Sequence, residues 1–164
     1  HSGKHSLLDN LGPDPFSTEA NPDALKIRAK NCKSPIKTFI MDSRRITGIG
    51  NIYACESLFQ AGINPKRKAG LITFPEWELL LSCIRSTLEN SIAAGGTTLR
   101  DFFEPSGKKG YYAVKLSVYG KEGKPCAKCA TPISRLIDSG RSTFFCKTCQ
   151  PSTKNRSNRL RTLV

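Results

Sequence analysis

The apolar positions of this chain change period along its length. From Thr73 onward, Trp77, Leu80, Leu81, Ile84, Leu88 and Ile92 recur three and four residues apart, the stripe of an amphipathic helix. Thr73 and Glu76 stand around Pro75 as a capping-box pair that fixes the start of that helix, and Gly95-Gly96 ends it. Upstream, shorter apolar runs are separated by caps. Asn21 followed by Pro22 and Asp23 supplies an acceptor, a fixed φ and a favourable charge for a helix start. Ser34-Pro35 opens a short second helix with Ile36, Phe39 and Ile40 on its inner side, ending near Asp42. Gly48-Ile49-Gly50-Asn51 leads into the run from Ile52 to Phe59, with Gly62 as its stop and Pro65 just beyond, which makes a helix-turn-helix arrangement. From Ala113 the period falls toward two, with Val114, Leu116 and Val118 on one side, as in a strand. Residues 9–20 and 97–112 follow neither period and are rich in turn formers. The second stretch reads as a long, mobile loop.

These elements predict a mainly α fold with a small β hairpin, and the cysteines say what holds that hairpin. Cys126 and Cys129 are separated by sixteen residues from Cys146 and Cys149, the two-knuckle spacing of a tetrahedral zinc site. Four thiolates close the coordination sphere, so one zinc ion there is structural and holds a hairpin too small to fold alone. A pair of redox dithiols or an iron–sulfur cluster is the rival reading. The other three cysteines, Cys32, Cys55 and Cys83, lie on predicted helices and read as buried structural thiols. Seven cysteines with no secretory signal indicate a reducing, cytoplasmic setting in cytosol or nucleoid. No apolar run reaches the roughly 18 residues of a membrane span, so a soluble protein is expected.

Charge adds a partner class. Lys and Arg outnumber Asp and Glu by 26 to 13, and residues 100–164 hold 14 of the basic and 4 of the acidic groups. A field so concentrated attracts phosphate polymers, with anionic membranes and acidic proteins as alternatives. The tail of residues 151–164, with Lys154, Arg156, Arg159 and Arg161, reads either as a solvated end or as part of that field. Arg141 follows the turn signal Asp138-Ser139-Gly140 and should sit near the hairpin tip, as a surface arginine or as a fork on a phosphate. Asn51 is either a helix cap or an amide that binds a phosphate together with the helix N-terminus. Lys33 and Lys37 flank the preceding helix start, as solvated decoration or as phosphate contacts.

Four blocks taken together resemble the formamidopyrimidine-DNA glycosylases and their endonuclease VIII-type relatives. They are LGPDPFS at Leu11 to Ser17, GIGNIYACESLFQAGINP from Gly48, GGTTLRDF from Gly95, and GYYAVKLSVYGKEGKPCAKCATPI from Gly110 with RSTFFCKTCQ from Arg141. The resemblance implies a helix-two-turns-helix subdomain over residues 1–112, whose segment 97–112 covers an everted 8-oxoguanine. It also implies a four-cysteine zinc finger over 113–150 followed by the basic tail, with damaged double-stranded DNA as partner of a monomer. By position it assigns Lys33, Asn51 and Arg141 to DNA binding, and Arg141 to proton donation in the second elimination. The family's nucleophile, an N-terminal proline opening a Pro-Glu-Leu-Pro-Glu stretch, is not in this chain, nor are the glutamate and lysine of the β-sandwich domain. The chain is therefore expected to be the DNA-clamping C-terminal half of a bifunctional glycosylase and abasic-site lyase acting on oxidised purines, and inactive alone. A non-catalytic nucleic-acid-binding module and a zinc-stabilised protein interaction module are the competing expectations.

Overall fold

In the computed structural model, which describes residues 11–93 and 116–152, the helices start and stop largely where local chemistry places them. Helix α1, Pro22–Ala29, is capped by Asn21, whose Oδ1 accepts from the Ala24 N–H at 2.9 Å. Helix α2, Ile36–Met41, has no side-chain cap, so Ser34 does not serve as one. Its leading N–H groups are satisfied from a distance instead, Ile36 donating to the Arg67 carbonyl at 2.6 Å and Lys37 to that of Pro65 at 3.3 Å. Helix α3, Asn51–Ala61, ends on Gly62 at φ +70°, whose N–H reaches the Leu58 and Phe59 carbonyls. Helix α4, Phe74–Ala93, carries the expected capping box: the Thr73 N–H donates to Glu76 Oε1 at 3.0 Å and the Glu76 N–H to Thr73 Oγ1 at 3.3 Å. Arg67 forks onto the same Glu76 carboxylate. Strands β1, Ser134–Asp138, and β2, Arg141–Phe145, form one antiparallel hairpin.

Two apolar clusters share helix α3. On one side Ala54 and Leu58 join Leu25, Ile36, Phe39, Ile40, Trp77, Leu80, Leu81 and Ile84, with the Phe39 and Trp77 rings edge to face at 5.6 Å. On the other, Cys55 and Phe59 meet Val118, Cys126, Ile133, Phe144 and Cys146 of the zinc module. Six consecutive residues, Ala54 to Phe59, are therefore buried, as in a helix covered on all sides. Gly12 fixes the approach to this helix. A Cβ there would lie 2.3 Å from the Arg45 carbonyl carbon, so only glycine lets the leading loop pass against the turn between α2 and α3.

Burial all round leaves Glu56 a carboxylate that water does not reach, at 3 % exposure. Its oxygens accept three consecutive backbone N–H groups, from Ser117 at 2.7 Å and from Val118 and Tyr119 at 2.9 Å each. This corrects the strand expected through Leu116 and Val118: the chain there bends, because its N–H groups turn to one carboxylate instead of a neighbouring strand. Cys32 is also corrected. It lies half-buried in the connection after α1, whereas Cys55 and Cys83 are buried on α3 and α4 as expected. The Gly95-Gly96 stop, the segment 97–112, Ala113, Val114 and the tail from residue 153 fall outside the described residues, as does the Ile92 side chain.

Glu56→Ala leaves three N–H groups without an acceptor and is expected to cost more than about 2 kcal/mol of stability. Urea unfolding followed by the fluorescence of Trp77 measures it; a loss under about 0.5 kcal/mol would mean that water replaces the carboxylate.

Candidate metal centre and nucleic-acid interface

Each cysteine pair sits on a tight turn that aims both sulfurs the same way. The Cys126 N–H donates to the Thr131 carbonyl at 2.8 Å, and the Ala130 N–H returns to the Cys126 carbonyl at 2.8 Å, with Ala130 at φ +66°. The Lys128 and Cys149 N–H groups point at the sulfurs of Cys126 and Cys146, each at 3.4 Å. The four ligand sulfurs all lie within 4.8 Å of one another, Cys126 to Cys149 at 3.8 Å and Cys129 to Cys146 at 3.4 Å. A tetrahedron with Zn–S bonds of about 2.3 Å has edges of roughly 3.8 Å, so the cluster has the size zinc requires. Without a cation the thiols diverge: hydrogen bonding with Thr131 draws Cys129 down to about 6, while burial pushes Cys149 up to about 12. A dication removes that conflict by stabilising all four thiolates together. The centre takes one structural zinc ion, held by Cys126, Cys129, Cys146 and Cys149.

The metal-held module is clasped to the helices by amides. Gln150, fully buried, accepts from the Cys146 N–H at 2.8 Å through Oε1 and donates from Nε2 to the Ile63 carbonyl at 2.9 Å. Its own carbonyl accepts from Asn64 Nδ2 at 2.8 Å. The second knuckle is thereby locked against the corner that follows α3. Lys128, on the first knuckle, lies over the Phe59 ring at 4.8 Å.

The hairpin tip is the other consequence of the clasp. Ser139 and Gly140, at φ +51° and +76°, make the two-residue turn in which both central residues have positive φ, and Arg141 pairs across from Asp138. The Arg141 guanidinium is exposed and has no hydrogen-bond or ion-pair partner among the described residues. One residue further, the Ser142 carbonyl receives Asn51 Nδ2 at 2.9 Å and Lys37 Nζ at 3.4 Å. Lys37 Nζ also donates to Thr143 Oγ1 at 2.6 Å. Burial lowers the Lys37 pKa from the ordinary lysine value and nearby Arg141 acts in the same direction, while Cys55 and Asp138 oppose them. Lys37, Thr38, Met41, Asp42, Asp138, Ser139 and Arg141 line a recess of about 240 Å³ between α2 and the tip.

Asn51 therefore does not cap its own helix. The cap is Gly50, and the Asn51 amide crosses to β2, leaving its Oδ1 buried without a partner among the described residues. Asn51 and Arg141 are brought to one edge of the hairpin. Lys33 is exposed in the connection before α2, with no hydrogen-bond or ion-pair partner among the described residues. Sequence reasoning missed the cross-links through Lys37, Glu56, Asn64 and Gln150. Each is a polar residue whose partner lies 61 or more positions away, so no local spacing marks it.

A family described as Formamidopyrimidine-DNA glycosylase H2TH domain matches residues 11–103, and one described as Zinc finger found in FPG and IleRS matches residues 123–151. The chain belongs to the formamidopyrimidine-DNA glycosylase family. It is 47 % identical over 146 residues to the formamidopyrimidine-DNA glycosylase of Acidithiobacillus ferrooxidans, covering 89 % of this chain and 54 % of that protein. The enzyme of Vesicomyosocius okutanii is 48 % identical over 148 residues, covering 90 % and 55 %. The chain thus spans about half the length of the curated relatives it matches. Among solved structures, the MutM (FPG) protein of Thermus thermophilus superposes with a TM-score of 0.80 at 37 % identity, over 92 % of this chain and 57 % of that one. The Lactococcus lactis Fpg in complex with abasic-site DNA gives 0.79 at 28 % identity, over 92 % and 55 %. No helix among the described residues is long and apolar enough to cross a membrane.

Chelating the zinc is expected to release the hairpin and expose the Cys55 and Phe59 face of α3, while the α1–α4 core persists. Far-ultraviolet circular dichroism should lose little helix as an apolar dye begins to bind. Iron in place of zinc on elemental analysis, or a chelated chain that keeps its hairpin, would contradict this.

Proposed function

We propose that this chain is the DNA-clamping half of a bifunctional DNA glycosylase and abasic-site lyase that removes oxidised purines, 8-oxoguanine and formamidopyrimidines, in base excision repair. It acts as a monomer on damaged double-stranded DNA. The observation that carries the reading is the exposed Arg141 guanidinium at a metal-held hairpin tip, one residue from a carbonyl bound by Asn51 at the N-terminus of α3. A fork with no hydrogen-bond or ion-pair partner among the described residues, presented by a rigid turn beside a helix start, is arranged for a phosphate. Relatives solved with abasic-site and formamidopyrimidine-containing DNA support that choice of ligand. In this reading Arg141 grips the phosphate at the lesion and donates the proton of the second elimination. The second amide hydrogen of Asn51 reaches a neighbouring phosphate, and exposed Lys33 adds a solvent-side contact.

Schiff-base chemistry at the sugar C1′ needs an unprotonated amine positioned against it, and no residue of this chain matches the family's N-terminal proline. The 164-residue chain should therefore bind abasic-site duplex without cleaving it and without being trapped on it by borohydride. Efficient trapping would mean that the chain holds its own nucleophile. Arg141→Ala should weaken that binding about tenfold or more, the scale of a charged hydrogen bond. Arg156→Ala, in the basic tail, should weaken it far less and mainly at low salt. Equal losses in a gel-shift titration would remove the role given to Arg141.

A further inference from the structure

We infer that Lys37 is a positioning residue for Arg141: it binds the outer edge of β2 from α2 and fixes the direction in which the hairpin tip presents its guanidinium. The inference rests on the phosphate role proposed for Arg141 and deepens it.

Among the described residues the hairpin has two strands, so one edge of β2 faces away from β1 with backbone groups that need partners. Lys37 supplies a donor to one of them, the Ser142 carbonyl, and to the Thr143 hydroxyl beside it. It is 3 % exposed, and its Nζ donates to Thr143 Oγ1 at 2.6 Å and to the Ser142 carbonyl at 3.4 Å. Thr143 is itself 1 % exposed, so its hydroxyl has no access to water as a substitute. Asn51 Nδ2 reaches the same Ser142 carbonyl at 2.9 Å from α3. Two helices thus hold one carbonyl, in the Ser142–Thr143 peptide unit one residue beyond Arg141. A buried ammonium is costly, and this one spends its hydrogen bonds on the strand beside the tip. Its removal frees β2 to shift relative to α2 and α3, and an arginine fork loses a bidentate phosphate when displaced by about an ångström. Because Nζ is buried against β2, Lys37 is placed to act through the strand and not by binding a phosphate itself.

The test is a double-mutant cycle on the full 164-residue chain, with abasic-site duplex titrated at several salt concentrations. The variants are Lys37→Met, Arg141→Ala and their combination, each first checked for one zinc per chain. Lys37→Met should weaken binding about fivefold or more, and adding it to Arg141→Ala should change little, since neighbours that act as a unit are non-additive. The salt slope separates positioning from direct binding. Each phosphate that is no longer neutralised lowers it by about 0.9, so the double variant should fall by about 0.9, as Arg141→Ala does, and not by about 1.8. Additive effects, or the larger slope change, overturn the inference while leaving the role of Arg141 intact. If Arg141→Ala binds as the parent does, the phosphate reading fails and this inference with it. Should Lys37→Met not hold zinc, Thr143→Val cuts the same link from the strand side and must give the same cycle. A Thr143→Val effect that adds to that of Arg141→Ala overturns the inference equally.

Discussion

Helix α3 is buried along six consecutive residues, and the rest of the architecture answers that constraint. A helix between two apolar clusters cannot leave polar groups to water, so each must find a partner inside or go without. Glu56 finds three backbone N–H groups, and in doing so sets the course of the chain from Ser117 to Tyr119. Ser57 finds none for its hydroxyl among the described residues. The zinc module is small, with few apolar side chains of its own, and it borrows Cys55 and Phe59 from α3 to complete a core. The helical part and the finger are thus interdependent: the metal shapes the finger, and α3 supplies the surface on which it stands.

The same interdependence explains where the basic chemistry sits. A free arginine on an isolated two-stranded hairpin would sweep a wide arc, because such a hairpin is marginally stable in water. Here the hairpin is held at three places: by the sulfurs, by the Gln150 and Asn64 amides, and by Lys37 and Asn51 on Ser142. These restraints converge on the strand that carries Arg141. The exposed guanidinium has no hydrogen-bond or ion-pair partner among the described residues, while its backbone is pinned.

Much of this is legible in the sequence because it is local. Asn21, the Thr73 and Glu76 box, the stop at Gly62, the paired cysteines and the turn before Arg141 all depend on residues within a few positions of one another. Long-range polar contacts are different. Lys37 and Glu56 look in sequence like ordinary helix-surface charges, and only the arrival of β2 and of residues 117–119, more than sixty positions away, buries them. The strand expected through Leu116 and Val118 fails for the same reason, since alternation reports which side is apolar and not which acceptor captures the backbone. Local spacing offers Asn51 two roles, cap or phosphate ligand. The structure gives its amide a third that neither spacing nor propensity encodes, a bond to the Ser142 carbonyl.

That third role changes what a phosphate contact by Asn51 would require. An amide nitrogen carries two hydrogens, and with one directed to Ser142 the other remains for an anion at the head of α3. The Asn51 oxygen is buried without a partner among the described residues, and turning the amide to offer both hydrogens outward would break its bond to the strand. A phosphate there would meet a donor whose orientation is set before it arrives, on the same carbonyl that Lys37 steadies. Preorganised donors lose little entropy on binding, and an amide tied to the strand that carries Arg141 moves with that strand.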